Sequence, residues 1–293
     1  MEPRIKHTNI VIERRNHLMK RMLDGESPHD ASSEISLAMN YLRASHFGPT
    51  ALVTTLAFLF SRHYFTPLNS LLVAITIFSG QLIVGWTNDL VDFHTDTQQQ
   101  RVEKPLVAGT LSIKSLHLAT LIDLPICIAL SLLGPLGIRG GTVHLLGVGC
   151  GVSYNFYLKR TVFSPLPYAI AFAALPVAQR ITMNKPIALW MILTGALFGV
   201  VAHFANVLKD YDSDREIGIK GLPQRLPRQL NVLVCIILLV AITFLIGVGK
   251  PSIAPYLGAV MVGGAALIVY KPAKLAFPII MALALISVLA VAL

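Results

Sequence analysis

The sequence predicts an all-α integral membrane protein of nine transmembrane helices, and three observations predict it. Of 293 residues, 54% are hydrophobic and 13% charged, with mean hydropathy +0.66; soluble domains carry about 25% charged residues. The apolar residues gather in nine runs, each close to the ~20 residues a helix needs to cross a bilayer. The cations alternate from loop to loop. With the N-terminal tail and every second loop on one side, that side holds 19 of the 24 Lys and Arg, and the other side 5. Lys and Arg collect in cytoplasmic loops, so the tail and the large loops are expected in the cytoplasm and the C-terminus on the far side. The same asymmetry accounts for a net charge of +9 and a pI near 9.6, and no nucleic-acid partner is expected.

Residues 1–43 form a polar tail of mixed charge, from Arg4 and Lys6 to Asp30 and Glu34. Its end, from Ser33 to Arg43, reads as a short interfacial helix with Ile35, Leu37, Met39 and Leu42 among polar residues. The first apolar run begins only after this tail, so no signal peptide is expected. Residues 44–293 form the membrane domain, with runs at 46–61, 67–87, 115–135, 141–157, 164–181, 186–207, 229–248, 252–270 and 273–293. Prolines such as Pro125 and Pro176 interrupt some of them, which bilayer helices tolerate. Cys127, Cys150 and Cys235 all fall in apolar runs, and their spacing fits neither a zinc site nor a disulfide framework.

Beyond the tail the chain has nine carboxylates, and eight of them fall in two places. Asp89, Asp92, Asp96 and Glu103 follow the second run; Asp210, Asp212, Asp214 and Glu216 follow the sixth. The clusters share a skeleton, Asn88-x3-Asp92-x3-Asp96 and Asn206-x3-Asp210-x3-Asp214. An i, i+4, i+8 spacing sets three groups on one helical face. Acids gathered at a helix C-terminus repel one another and the helix dipole, so a positive partner is expected. A hard divalent cation such as Mg²⁺ takes one or two carboxylates and shares its other positions with substrate phosphate. The repeated skeleton suggests two similar units facing each other across a cavity, both motif ends on the cytoplasmic side. Arg101, Lys159, Arg160 and Lys209 stand nearby to clamp phosphate oxygens. No P-loop is present.

These motifs resemble the signatures of the UbiA superfamily of intramembrane prenyltransferases. Asn88-Asp89-x2-Asp92-x3-Asp96, followed by Lys104-Pro105-Leu106-x2-Gly109, is similar to the first signature, and Asp210-Tyr211-Asp212-Ser213-Asp214-x3-Gly218-x3-Leu222-Pro223 to the second. Tyr154-Asn155-x3-Lys159-Arg160 is similar to the family's tyrosine-then-lysine segment, and Arg43 sits where the family often has an arginine. The resemblance spans roughly residues 40–290. It implies a helical bundle around a central cavity and Mg²⁺-dependent transfer of a prenyl group from a polyprenyl diphosphate to a small acceptor, often aromatic, as in quinone biosynthesis. It implies Asn88, Asp92, Asp96, Asp210 and Asp214 at the metal, and Lys159 with the four motif aspartates as the catalytic set. Arg43, Asp89, Arg101, Lys104, Tyr154, Asn155, Asn206 and Lys209 join Lys159 as substrate-binding residues. Two features depart from the pattern. The usual arginine before the proline is Lys104, which keeps charge but loses a bidentate fork, and the tail is long.

Each feature has a plainer alternative. Asp212 lies off the Asn206–Asp210–Asp214 face. Asp123, an acid inside a membrane run, is a functional candidate by default, but an interhelical contact explains it as well. Trp86 and His203 read best as packed residues. Tyr154 or Phe156 would offer an aromatic face to developing positive charge. A non-aromatic acceptor such as a sugar phosphate stays open. A transporter is disfavoured because its acids would lie near the midplane, and a non-catalytic lipid-binding relative because both motifs are intact. No obligate protein partner is expected beyond the lipid bilayer.

Overall fold

The computed structural model describes residues 31–216 and 218–292. The tail from Met1 to Asp30 lies outside the described residues. Within them the chain is helical: α1 (Ala31–Ala44), α2 (Phe47–Ser61), α3 (Pro67–Gln98), α4 (Ile113–Leu133), α5 (Gly137–Phe156), α6 (Pro165–Thr182), α7 (Leu189–Glu216), the single turn α8 (Leu222–Arg225), α9 (Arg228–Gly249), α10 (Ala254–Tyr270) and α11 (Pro272–Ala292). Local chemistry sets several starts. Thr66 caps α3 by accepting from Asn69 N–H at 3.3 Å ahead of Pro67, and Ser112 caps α4 by accepting from Ser115 N–H at 3.0 Å; both satisfy donors a helix N-terminus leaves free.

Helices α3, α4, α7, α9 and α11 are long and apolar enough to cross a membrane, and α2 and α10 are shorter apolar helices. Helix α9 shows why the solvent is lipid. Cys235, Leu239, Ile242 and Ile246 make a fully buried stripe, while Leu233, Ile237, Val240, Phe244 and Val248 on the other side are exposed, up to 72% for Phe244. A helix apolar on its outward face as well as its inward one belongs in a bilayer. The protein is an integral membrane protein.

Sequential helices pack as neighbours and the series closes when α11 returns to α2. On one side α3 packs on α2, α4 and α5; on the other α7 packs on α6, α9 and α11. The main core lies on that second side, where Phe198, Val201, Ala205 and Leu208 of α7 meet the buried stripe of α9 and Ile280, Leu283 and Ala284 of α11. Small residues let backbones close up. A Cβ on Gly199 would lie 2.2 Å from Tyr168 O on α6, and one on Gly85 2.4 Å from Ser45 O, the small-residue contact that drives helix association in lipid.

The structure extends two expectations. The first acid motif continues the helix of the second apolar run, because α3 runs to Gln98. The short helix before the membrane domain, α1, is docked on α3. Trp86 Nε1 donates to Tyr41 O at 2.9 Å and the two rings meet edge to face at 5.9 Å, so Trp86 is a packing residue.

Gly199→Val is expected to lower the apparent Tm in detergent, by the ~1–3 kcal/mol typical of overpacking. Gly149→Ala, where a Cβ meets nothing within 4 Å, is the matched control and should leave Tm unchanged.

Candidate active site

Between the two halves lies a cavity of about 610 Å³. Its wall carries Arg43, Asn88, Asp89, Asp92, Asp96, Arg101, Lys104, Tyr154, Asn155, Lys159, Asn206, Lys209, Asp210 and Asp214. The residues expected from the sequence at the metal and the substrate therefore share one cavity. Below them the wall turns apolar, with Val53 and Leu56 of α2, Ile77 of α3, Leu175 of α6 and Met281 of α11.

Both motif helices end in the same way. Arg101 N–H bonds Asp96 O at 3.0 Å and Gln100 N–H bonds Thr97 O at 3.1 Å; in the second half Ile219 N–H bonds Asp214 O at 2.9 Å and Gly218 N–H bonds Arg215 O at 3.1 Å. This is the paired 6→1 and 5→2 pattern of a Schellman cap, which needs a left-handed residue. Gln100 (φ 53°) and Gly218 (φ 77°) supply it, each four residues past the last motif aspartate. Pro105 and Pro223 then fall at matching positions. The halves differ in one respect. Asp210 leaves helical geometry (φ −108°, ψ 15°), so the expected single face of Asn206, Asp210 and Asp214 is broken by a kink, although all three still reach the cavity.

The first acid cluster is closely neutralised. Lys104 Nζ donates to Asp89 Oδ1 at 2.9 Å and to Asp96 Oδ2 at 2.7 Å. Its loop is folded over Pro105, whose carbonyl accepts from Thr110 and Leu111 N–H, with Leu106 and Leu111 buried against Trp86. Burial alone would lower the Lys104 pKa, but the two carboxylates outweigh it and hold the ammonium above its ordinary value of 10.5. Lys159, in the turn after α5, pairs with Asp92. Asn88 Nδ2 donates to Asp92 Oδ2 and to Asn155 Oδ1, and Asn155 Nδ2 donates to Val84 O and Thr87 Oγ1, which ties α5 to α3.

The second cluster has less positive charge. Gln224 Nε2 donates to Asp214 Oδ2 at 2.8 Å, and Asp210 meets Arg101 Nη2 at 3.4 Å. Arg101, whose Nε is 3.7 Å from Asp96, is the cation between the clusters. Among the described residues Asp214 has no basic partner within ion-pair distance. Asp212 turns away, exposed and paired with Arg228 at 2.7 Å.

This donor set fits a divalent cation. Among the described residues no three His, Cys, Asp or Glu side chains enclose a metal unaided. Mg²⁺ needs no such cage when phosphate oxygens complete its shell, and Asp210 and Asp214 leave carboxylate oxygens without close cations.

Several residues fall elsewhere. Arg160 and Phe156 are exposed and off the cavity wall, because α5 ends at Phe156 and the turn carries Lys159 inward instead. Asp123 accepts from Ser79 Oγ at 2.8 Å, an interhelical contact. His203 is buried, with Nε2 3.0 Å from Ser164 Oγ, which also accepts from Leu222 N–H at 3.0 Å; it ties the turn after α5 to the loop bearing Gln224. Sequence reasoning missed His46 and Gln224. His46, left-handed at φ 58° ahead of α2, sets Nε2 2.9 Å from Asn88 Oδ1 and 3.2 Å from Asp89. Its only sequence signal is a histidine three residues past Arg43.

Lys104→Met would leave Asp89 and Asp96, 2% and 3% exposed, facing each other with only His46 at 3.2 Å from Asp89 and Arg101 at 3.7 Å from Asp96. A loss of about 3–5 kcal/mol is expected, read as a lower Tm at neutral pH. The Lys104 contribution is fully present below its unfolded pKa and is lost as pH rises through its higher folded value. The wild type should therefore show an alkaline loss of stability that Lys104→Met lacks.

A profile of the UbiA prenyltransferase family matches residues 48–290. A 4-hydroxybenzoate octaprenyltransferase from Vibrio atlanticus (strain LGP32) is 29% identical over 167 residues, 55% of this chain and 58% of that relative, so the chain spans less than two thirds of the relative's length. Among solved structures, a UbiA homolog from Archaeoglobus fulgidus bound to GPP and Mg²⁺ superposes with a TM-score of 0.68 at 16% identity, covering 86% of this chain and 99% of that one. A UbiA homolog from Aeropyrum pernix K1 gives 0.67 at 18% identity, covering 83% and 96%, and a digeranylgeranylglyceryl phosphate synthase gives 0.64 at 16%, covering 88% and 99%. These likenesses establish the fold. With its fold shared and the family profile spanning most of its length, the chain belongs to the UbiA prenyltransferase family.

Proposed function

We propose that the protein transfers a prenyl group from an isoprenyl diphosphate to a small acceptor, with Mg²⁺, releasing diphosphate. One observation carries this: two acid clusters with the same cap and spacing face one cavity that is charged at its mouth and apolar below. That arrangement suits an amphiphile with an anionic head and a hydrocarbon tail. Solved relatives hold GPP or DMAPP with Mg²⁺, which agrees with it.

Asn88, Asp92, Asp96, Asp210 and Asp214 would hold the metal. Bound there, Mg²⁺ supplies neutralising charge to the departing diphosphate. Lys159 and Arg101, already ion-paired with Asp92, Asp96 and Asp210, lie where the remaining phosphate oxygens would fall, with Arg43 and Lys209 further out. Asp89 acts through Lys104, and Asn155 and Asn206 position the helices and the head. As the C1–O bond breaks, positive charge develops at the prenyl C1. Tyr154, edge to face with Tyr168 at 5.0 Å and with His203 at 5.5 Å, offers an aromatic face to that charge. The acceptor's nucleophilic atom bonds C1 and its proton leaves to a carboxylate or water. Stabilising the leaving group is the main catalytic contribution.

Nine membrane spans, α2–α7 and α9–α11, follow from the matching of helices to apolar runs, with both motifs and the N-terminus cytoplasmic and the C-terminus on the far side by the distribution of Lys and Arg. The acceptor is assigned as an aromatic quinone precursor, in keeping with the hydroxybenzoate named for the Vibrio relative. A sugar phosphate is the second possibility, because Arg43 and Lys209 at the mouth suit an anion.

Purified protein given labelled geranylgeranyl diphosphate and a panel of acceptors should form product with Mg²⁺ and none in EDTA. Asp92→Asn and Asp210→Asn should each lower kcat/KM by about a hundredfold or more, while Asp212→Asn, on the outer face, should stay near wild type. Full turnover in EDTA would exclude the metal.

A further inference from the structure

Gln224, on the single turn α8, is 7% exposed and lines the cavity. Only one end of its amide is paired. Nε2 donates to Asp214 Oδ2 at 2.8 Å, while Oε1 is buried and, among the described residues, has no partner. Turning the amide over would not pair Oε1 with Asp214, because a carboxylate only accepts. A buried acceptor left unpaired is penalised, and a glutamine kept for stability would have both ends satisfied.

The turn that carries it is held from three helices. Asn231 Nδ2 of α9 donates to Pro223 O at 2.8 Å, the Tyr211 hydroxyl of α7 donates to Leu226 O at 2.5 Å, and Leu222 N–H donates at 3.0 Å to Oγ of Ser164, which precedes α6. Gly221 leaves the amide its room, since a Cβ there would lie 2.6 Å from Gln224 Oε1 and 2.7 Å from Lys159 O. Contacts made elsewhere therefore fix Gln224 against Asp214.

The consequence falls on the two oxygens of Asp214. Oδ2 is taken by the amide, and Oδ1 has no hydrogen-bond or ion-pair partner among the described residues. In the first cluster Lys104 cancels the charge it binds. A neutral amide leaves the charge of Asp214 in place and occupies one oxygen, so a cation in the cavity meets the other oxygen alone. That suits Mg²⁺, which demands rigid octahedral geometry and bonds few carboxylates, over Ca²⁺, which takes more oxygens and grips a carboxylate with both. We propose that Gln224 is a positioning residue that holds Asp214 as a one-oxygen ligand and so selects Mg²⁺ over Ca²⁺. This assignment rests on the prenyl-transfer function with its metal, and adds the residue that discriminates between cations.

The test is calorimetric binding of geranylgeranyl thiodiphosphate, a poorly reactive donor, to the full chain over a series of Mg²⁺ or Ca²⁺ concentrations. The readout is the ratio of the two cation concentrations that half-saturate binding. Wild type should need at least about tenfold more Ca²⁺ than Mg²⁺. Gln224→Leu should raise the Mg²⁺ requirement about tenfold, as loss of a hydrogen bond behind a metal ligand does. The Ca²⁺ requirement should stay within about twofold, because the freed Oδ2 offers a second oxygen, and the preference collapses. A merely structural glutamine would lose both cations equally. Should Gln224→Leu fail to fold, Gln224→Met, of similar shape and without a donor, must show the same collapse. Equal use of the two cations by wild type, or a ratio unchanged in the variant, would overturn the assignment. Donor binding that neither cation promotes would overturn the prenyl-transfer function, and this assignment with it.

Discussion

Asp89, Asp92, Asp96, Asp210 and Asp214 repel one another around a single cavity mouth, partly out of water, where screening is weak. Much of the surrounding structure follows from that repulsion. Lys104 is drawn under the first cluster by a loop folded over Pro105, Lys159 is brought inward by the turn that ends α5, and Arg101 reaches across to the second cluster. The compensation is uneven. One half is saturated by lysine, and the other keeps carboxylate oxygens facing the cavity with a neutral glutamine and the edge of one arginine. Under the proposed function that shortfall is what a cation and a polyanion entering together would require, since a fully neutralised site would give the ligand nothing to gain by entering.

The two halves reach this asymmetry from a common plan. The Schellman caps after Asp96 and Asp214, with Gln100 and Gly218 in the left-handed position, fix where each helix stops and so where its last aspartate points. The prolines that follow align in register. What differs is the residue each half sends back to its acids, Lys104 in the first and Gln224 in the second. The kink at Asp210 belongs to the half with less compensation.

Much of this was legible in the chain. Apolar runs gave the helices, because the bilayer demands length and apolarity of each segment, and the i+4 spacing of Asn88, Asp92 and Asp96 gave a shared face because α3 is regular there. The second motif was less faithful, since spacing carries no information about a local break at Asp210. His46 and Gln224 were invisible because their partners are distant in sequence or depend on how a loop folds back. Phe156 was misplaced for the opposite reason: it neighbours Tyr154 in sequence, but the helix ends and turns it outward.

The central claim is that both acid clusters grip one ligand, and a double-mutant cycle on binding tests it. The Mg²⁺-dependent affinity for geranylgeranyl thiodiphosphate would be measured in the wild type, Asp92→Asn, Asp210→Asn and the double variant. If the clusters share one metal–diphosphate complex, the double variant should lose far less than the product of the two single losses, because either change alone already disables the unit. Losses that multiply independently would mean that the clusters act on separate ligands and would contradict the account.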